Sequence, residues 1–108
     1  MYEFGTIVLV PFPFTDLTAS KVRPALIVSK ENDKGDDIIL CFISSREGGS
    51  ARAMLLPSGN ETGLKVRSVL RFDKIATLSK RVILGKLGRA DVEDLRKNRE
   101  LFFSVFGF

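Results

Sequence analysis

The sequence predicts a mainly β fold: a small, strongly bent antiparallel sheet or barrel of five to seven short strands, with a helix at its C-terminal end. Three observations predict it. Short apolar runs rich in Val, Ile, Leu and Phe alternate with clusters of Gly, Pro, Asn, Asp and Ser, the pattern of strands separated by turns. One stretch near the end, from Asp91 onward, carries acids first and bases later, as a helix dipole favours. The length of 108 residues, 44% of them hydrophobic, supports one domain over 1–108 with one packed core.

Residues 6–12 are β-branched and apolar and form the first strand, buried on both faces or nearly so. Pro11 and Pro13 end it, since neither donates to a ladder. Polar residues mark 14–21 as a loop, and 22–30 is the second strand. The turn cluster 31–36 makes a hairpin with the third strand, 37–44. A break at 47–50 precedes a short fourth strand, 52–56, and a long loop, 57–63. Residues 68–75 alternate apolar Val69, Leu70, Phe72 and Ile75 with polar Arg71, Asp73 and Lys74, giving a strand with one wet face. A polar link at 76–81 leads to the last strand, 82–87, which Gly88 ends. Asp91 then serves as N-cap, supported by Asp94, and Val92, Leu95, Phe102 and Phe106 mark one face of a single helix. Beyond Arg99 the helix is apolar nearly all round, so it is buried or it meets another chain.

Composition narrows the function. With no His and one Cys, the chain lacks the N and S ligands of a zinc site. Asp36-Asp37 is the obvious start of a carboxylate-only site, but neighbours on a strand point to opposite faces. No metal or other cofactor is expected. No apolar run reaches the roughly 20 residues of a membrane helix, and Met1-Tyr2-Glu3-Phe4 does not begin a signal peptide. A lone Cys41 in an apolar run fits a cytoplasmic protein. The charge is uneven. Residues 49–89 hold nine Lys/Arg against two Asp/Glu, whereas 1–48 hold five against seven. A basic block of this kind suits a polyanionic partner, or else a solvated cationic surface.

The candidate chemistry lies where two strands end. Arg23 stands before Pro24 at the mouth of one strand, and Ser44 and Ser45 close the next. Arginine's planar fork pairs two phosphoryl oxygens, and a serine hydroxyl donates to the same group. Such donors, aimed at charge developing on a phosphorane, supply a large share of catalysis. Ser44 is the positioning and stabilising group, because no His is present to activate it as a nucleophile. The alternative is that Arg23 anchors the loop against Asp16 and Ser44 satisfies its own strand end. Phe14 and the loop after it, with Thr15 and Asp16, offer a surface for base stacking. Lys21, Arg46, Lys65, Lys80 and Arg81 are the candidate backbone-phosphate contacts.

The ordered set Pro11-Phe12-Pro13-Phe14-Thr15-Asp16, Lys21-Val22-Arg23-Pro24-Ala25, Ile43-Ser44-Ser45, Gly63-Leu64-Lys65, Ser68 to Leu78 and Leu87-Gly88-Arg89 resembles the MazF/PemK family of toxin endoribonucleases. The resemblance covers nearly the whole chain. It implies an SH3-like barrel that dimerises and cuts single-stranded RNA without metal. It gives catalytic roles to Arg23 and Ser44, with Ser45 as fallback for the second, and products with a 2′,3′-cyclic phosphate and a 5′-hydroxyl. It also implies an acidic antitoxin that masks the RNA groove. The chain departs from the family in Gly5-Thr6, where many members carry Gly-Asp, and in a serine where the hydroxyl is often threonine. Two other readings are a non-enzymatic toxin of the same barrel class that binds a protein such as a topoisomerase, and a small nucleic-acid-binding barrel without chemistry.

Overall fold

The computed structural model describes residues 2–13, 20–30, 35–46 and 52–108. Six strands form one antiparallel sheet: β1 (Thr6–Pro13), β2 (Ser20–Ile27), β3 (Asp37–Ser44), β4 (Ala53–Leu56), β5 (Ser68–Ser79) and β6 (Gly85–Arg89), in the order β4-β5-β3-β2-β1-β6. Two short helices follow, α1 (Val92–Lys97) and α2 (Arg99–Phe103). The sheet curls into a half-barrel with apolar packing on both faces. The period of two along β1 produces this: Ile7 joins a core with Leu26, Cys41, Leu70 and Leu95, while Val8 and Val10 join another with Ala25, Ile27 and Leu40. A strand buried on both faces reads as a continuous apolar run.

Two register shifts bend the sheet. Ile7 pairs with Gly88 but Val8 with Lys86, so Leu87 is an extra residue on β6. Cys41 pairs with Ile75 but Phe42 with Arg71, so residues 72–74 of β5 lie outside the ladder to β3. Bulges raise local twist and turn a side chain toward a new direction. The second one drops Phe72 into the core and leaves Arg71 and Asp73 paired at the bend, with two hydrogen bonds of 2.9 Å.

Several expected boundaries move. The prolines do not end β1, which runs to Pro13. From Val10 onward it has lost β6 as a neighbour, and an edge position tolerates a missing N–H. The second strand is Ser20–Ile27, not 22–30, because its start pairs with the end of β1 and it leaves the sheet at Val28. The expected link at 76–79 is strand, since Ala76, Thr77, Leu78 and Ser79 pair with the first half of β3. A 3₁₀ turn (Lys80–Val82) then displaces the last strand to Gly85–Arg89. Ser79 Oγ accepts from Arg81 N (3.2 Å), and Lys80 N donates to the Asp36 carbonyl (2.7 Å).

The single C-terminal helix is in fact two. Asp91 caps the first, its Oδ1 accepting from Glu93 N (2.8 Å). Asn98 leaves helical geometry at φ −102°, ψ 11°, and its amide donates to the Asp94 carbonyl (2.8 Å), a side chain–backbone bond that competes with the helix ladder. The break re-aims the tail, so that Leu101, Phe102 and Val105 pack on the core and Phe103, Phe106 and Phe108 face out.

Candidate active-site cleft

The cleft begins where β2 outruns β3. The β2–β3 ladder starts only at Ala25, so Arg23 and Pro24, opposite Val10 and Leu9 of β1, have no β3 partner beside them. Pro24, which has no N–H to donate, suits that position. Arg23 is half-buried, with Nε withdrawn from solvent. On the other side β3 ends at Ser44, opposite Val69. The Ser44 hydroxyl accepts from Arg46 N (3.1 Å), turning the chain so that Ser45 stands exposed at the cleft.

Residues 57–67, between β4 and β5, supply the facing wall. Thr62 Oγ1 donates to the Pro57 carbonyl (2.8 Å) and accepts from Leu64 N (3.2 Å). Gly63 N donates to the Gly59 carbonyl (2.8 Å), Gly59 N to the Leu64 carbonyl (3.1 Å), and Ser68 Oγ to the Val66 carbonyl (2.9 Å). Arg89 N reaches across from β6 to the Glu61 carbonyl (2.9 Å). Two glycines permit this approach. A Cβ at Gly63, where φ is +75°, would collide with the Leu87 carbonyl, and one at Gly88 with the Glu61 carbonyl.

The cleft encloses about 300 Å³. Arg23, Ser45 and Lys65 bring polar groups to it, and Leu9, Pro24, Leu64, Val66 and Leu87 make it largely apolar. A few convergent polar groups in an apolar concavity is the usual composition of a ligand site. Of the expected site residues, then, Arg23, Ser45 and Lys65 converge. Ser44 accepts from Arg46 N in the turn beside the cleft and does not line it. Lys21 is exposed on β2 two residues before Arg23, and Arg46 is exposed just past Ser45. Lys80 and Arg81 sit in the 3₁₀ turn, with Arg81 held 3.4 Å from the Asp36 carboxylate, and do not line the cleft. Phe14, Thr15 and Asp16 lie outside the described residues. The sequence marks neither Leu9 nor Val66, and it marks Leu87 only as part of Leu87-Gly88-Arg89. Gly63 and Gly88 were visible there, but nothing in a sequence marks Leu87 as a bulge.

Three titratable groups outside the cleft have displaced equilibria. Burial, with the nearby Asp73 charge, pushes the Cys41 thiol up to about 12, so it stays protonated and unreactive at neutral pH. The Arg71 hydrogen bonds hold the Asp73 carboxyl below its ordinary range and push Arg71 up. Among the described residues, no three His, Cys, Asp or Glu side chains gather as a metal site, and no helix is long and apolar enough to cross a membrane.

Solved structures place this architecture in a class, the MazF-like barrel. The complex of MazE with MazF from Deinococcus radiodurans superposes with a TM-score of 0.73 at 25% identity, covering 98% of this chain and 95% of that one. An endoribonuclease in complex with its cognate antitoxin from a mycobacterial species gives 0.78 at 17% identity over 98% and 95%. The Mycobacterium tuberculosis toxin MazF-mt6 gives 0.71 at 18% over 92% and 95%. No curated protein matches the sequence. The family described as "PemK-like, MazF-like toxin of type II toxin-antitoxin system" matches residues 3–103, and the chain belongs to it.

Proposed function

We propose that this protein is an endoribonuclease toxin that cuts single-stranded RNA, mRNA in particular, in a sequence-selective way and without a metal. The observation that carries the reading is the convergence of Arg23, Ser45 and Lys65 on one apolar cleft in a chain of this family. In the reaction the 2′-oxygen of the nucleotide before the cut bonds to phosphorus and the P–O5′ bond breaks. The proton lost by the 2′-hydroxyl is balanced by one gained at O5′, leaving a 2′,3′-cyclic phosphate and a 5′-hydroxyl. Arg23 holds the phosphoryl oxygens as charge accumulates on them. The hydroxyl of Ser45 donates to the same phosphate, while Ser44 fixes the turn that presents it. Lys65 attracts the strand through its backbone charge.

Two of the solved relatives are complexes of a toxin with its antitoxin. An acidic antitoxin is the corresponding partner here, drawn to the basic 49–89 block. A cytoplasmic homodimer completes the reading, its contact including part of the apolar C-terminal tail.

The test is incubation with mixed-sequence single-stranded RNA in EDTA, followed by chemical mapping of the ends. Cleavage with cyclic-phosphate and 5′-hydroxyl ends is expected. Arg23→Ala and Arg23→Lys should each lower the rate by on the order of 10²–10³ with the fold intact, lysine failing because it lacks the fork. Ser45→Ala should cost more than Ser44→Ala; the reverse order returns the role to Ser44. Wild-type cleavage rates in Arg23→Lys would sink the account of phosphate stabilisation.

A further inference from the structure

The cleft has more apolar lining than phosphate chemistry needs. Arg23, Ser45 and Lys65 take a charged backbone, which gains nothing from Leu9, Leu64, Val66 and Leu87. We infer that this apolar half is a nucleobase subsite beside the scissile phosphate, and that Val66 sets the size of the base it admits. The inference rests on the ribonuclease reading of the same cleft and assigns it a determinant of sequence choice.

Three observations converge on Val66. It is 55% exposed although it is a large aliphatic side chain, and it lines the cleft. Its neighbours in the loop are already committed: Leu64 is buried in the core, and Thr62 and Ser68 are buried in hydrogen bonds that hold the wall. Val66 is thus the loop's one uncommitted apolar side chain that lines the cleft. Third, its position is fixed. The carbonyl of Val66 accepts from Ser68 Oγ, and the Gly63 and Gly88 contacts lock the loop onto β6. A loop held this way loses little freedom when a ligand enters, and a wall that does not yield can discriminate by size.

Leu87 faces the same space because the β6 bulge sets it there, and Leu9 lines it from β1. Together with Val66 they offer a planar ring apolar contacts. At about 300 Å³ the cavity sits at the low end of small-ligand sites, a size that admits a nucleobase. Lys65, next to Val66 along the chain, lies where the backbone of that same nucleotide would pass.

Size selection by an apolar wall is worth about 10- to 200-fold in relative rate. The experiment uses the full chain, a single-stranded RNA pool randomised around the cut, and sequencing of the new ends. Val66→Phe narrows the subsite and should lower cleavage at purine-flanked sites about tenfold relative to pyrimidine-flanked ones. Val66→Ala widens it and should move the ratio the other way. Both keep the fold, because the side chain is more than half exposed, and a thermal melt checks this. Identical relative site preferences in wild type and both variants, with cleavage intact, overturn the assignment of Val66 and leave the ribonuclease reading standing. A wild type that cuts no RNA, while Arg23→Ala also cuts none, overturns both.

Discussion

Two segments of this molecule have little strand to lean on, and they solve the problem in opposite ways. Residues 57–67 close on themselves. Their backbone groups bond to one another and to β6, and two glycines allow main chain to touch main chain. Residues 91–108 rely on packing instead. Their two helices have six and five residues, too short to be stable alone. They are held by Leu95, Leu101, Phe102 and Val105 against the first core, with Phe102 edge-on to Phe72 at 5.6 Å. Arg52 Nε adds a tie to the Ser104 carbonyl (3.0 Å). The first solution leaves a finished, rigid surface. The second leaves aromatic rings over: Phe106 meets Phe102 edge-on at 5.5 Å, yet Phe103 and Phe108, though in ring contact with Phe102 and Phe106, stay largely exposed. The difference separates a self-bonded wall from an apolar face left open to solvent.

The largest effect should come from breaking the wall's lock. Gly63→Ala adds a methyl where the Leu87 carbonyl already sits and forces a residue with a side chain to keep φ near +75°. The loop must lift from β6, so the variant should lose about 3–4 kcal/mol in urea unfolding, combining strain with the loss of buried hydrogen bonds. Its residual folded fraction should cut RNA poorly, because Lys65 and Val66 move with the loop. A stable Gly63→Ala variant with wild-type cleavage would show that the wall is softer than its hydrogen bonds indicate.

That lock also marks the limit of what the sequence made legible. The strands were legible because β-branched runs at 6–12 and 37–44 have only one way to bury both faces. The helix start was legible in Asp91 alone, whose geometry is local. What escaped was whatever depends on a partner strand. The 76–79 segment is polar enough to read as a link, yet β3 recruits it into β5. Pro11 and Pro13 looked like strand ends until the absence of β6 beside them made an edge. The site divided along the same line. Arg23 before a proline and a serine at a strand end could be read directly. That Ser45 rather than Ser44 enters the cleft depends on a turn bonded through Arg46 N, and Leu87 enters it through a bulge. The apolar excess of the tail was visible, but the break at Asn98, which decides which rings turn outward, was not.

A middle-sized effect sharpens the tail's side of the comparison. Asp91→Ala removes the acceptor for Glu93 N at the start of α1 and should cost about 1 kcal/mol by urea unfolding. Asp91→Ser, which restores an acceptor, should recover most of it. If Asp91→Ala costs nothing, α1 is held entirely by Leu95 and its neighbours, and local capping is irrelevant to the tail.

The smallest effect on folding should come with the clearest effect on assembly. Phe103 is 61% exposed and Phe108 wholly so, and neither belongs to the cores. Phe103→Ser and Phe108→Ser together should therefore change the unfolding free energy of a single chain, read at a concentration where the wild type is monomeric, by no more than about 0.5 kcal/mol, the scale of surface substitutions. The same double variant removes two large rings from one contiguous apolar face, the kind of patch that marks an interface. In the homodimer reading the wild type sediments near twice its 12.0 kDa chain mass at micromolar concentration, and the double variant moves toward one chain mass. Two further outcomes are diagnostic. A double variant that still dimerises moves the contact to another surface. A double variant that unfolds readily means the rings were packed after all, and the contrast between the self-bonded wall and the uncovered tail dissolves.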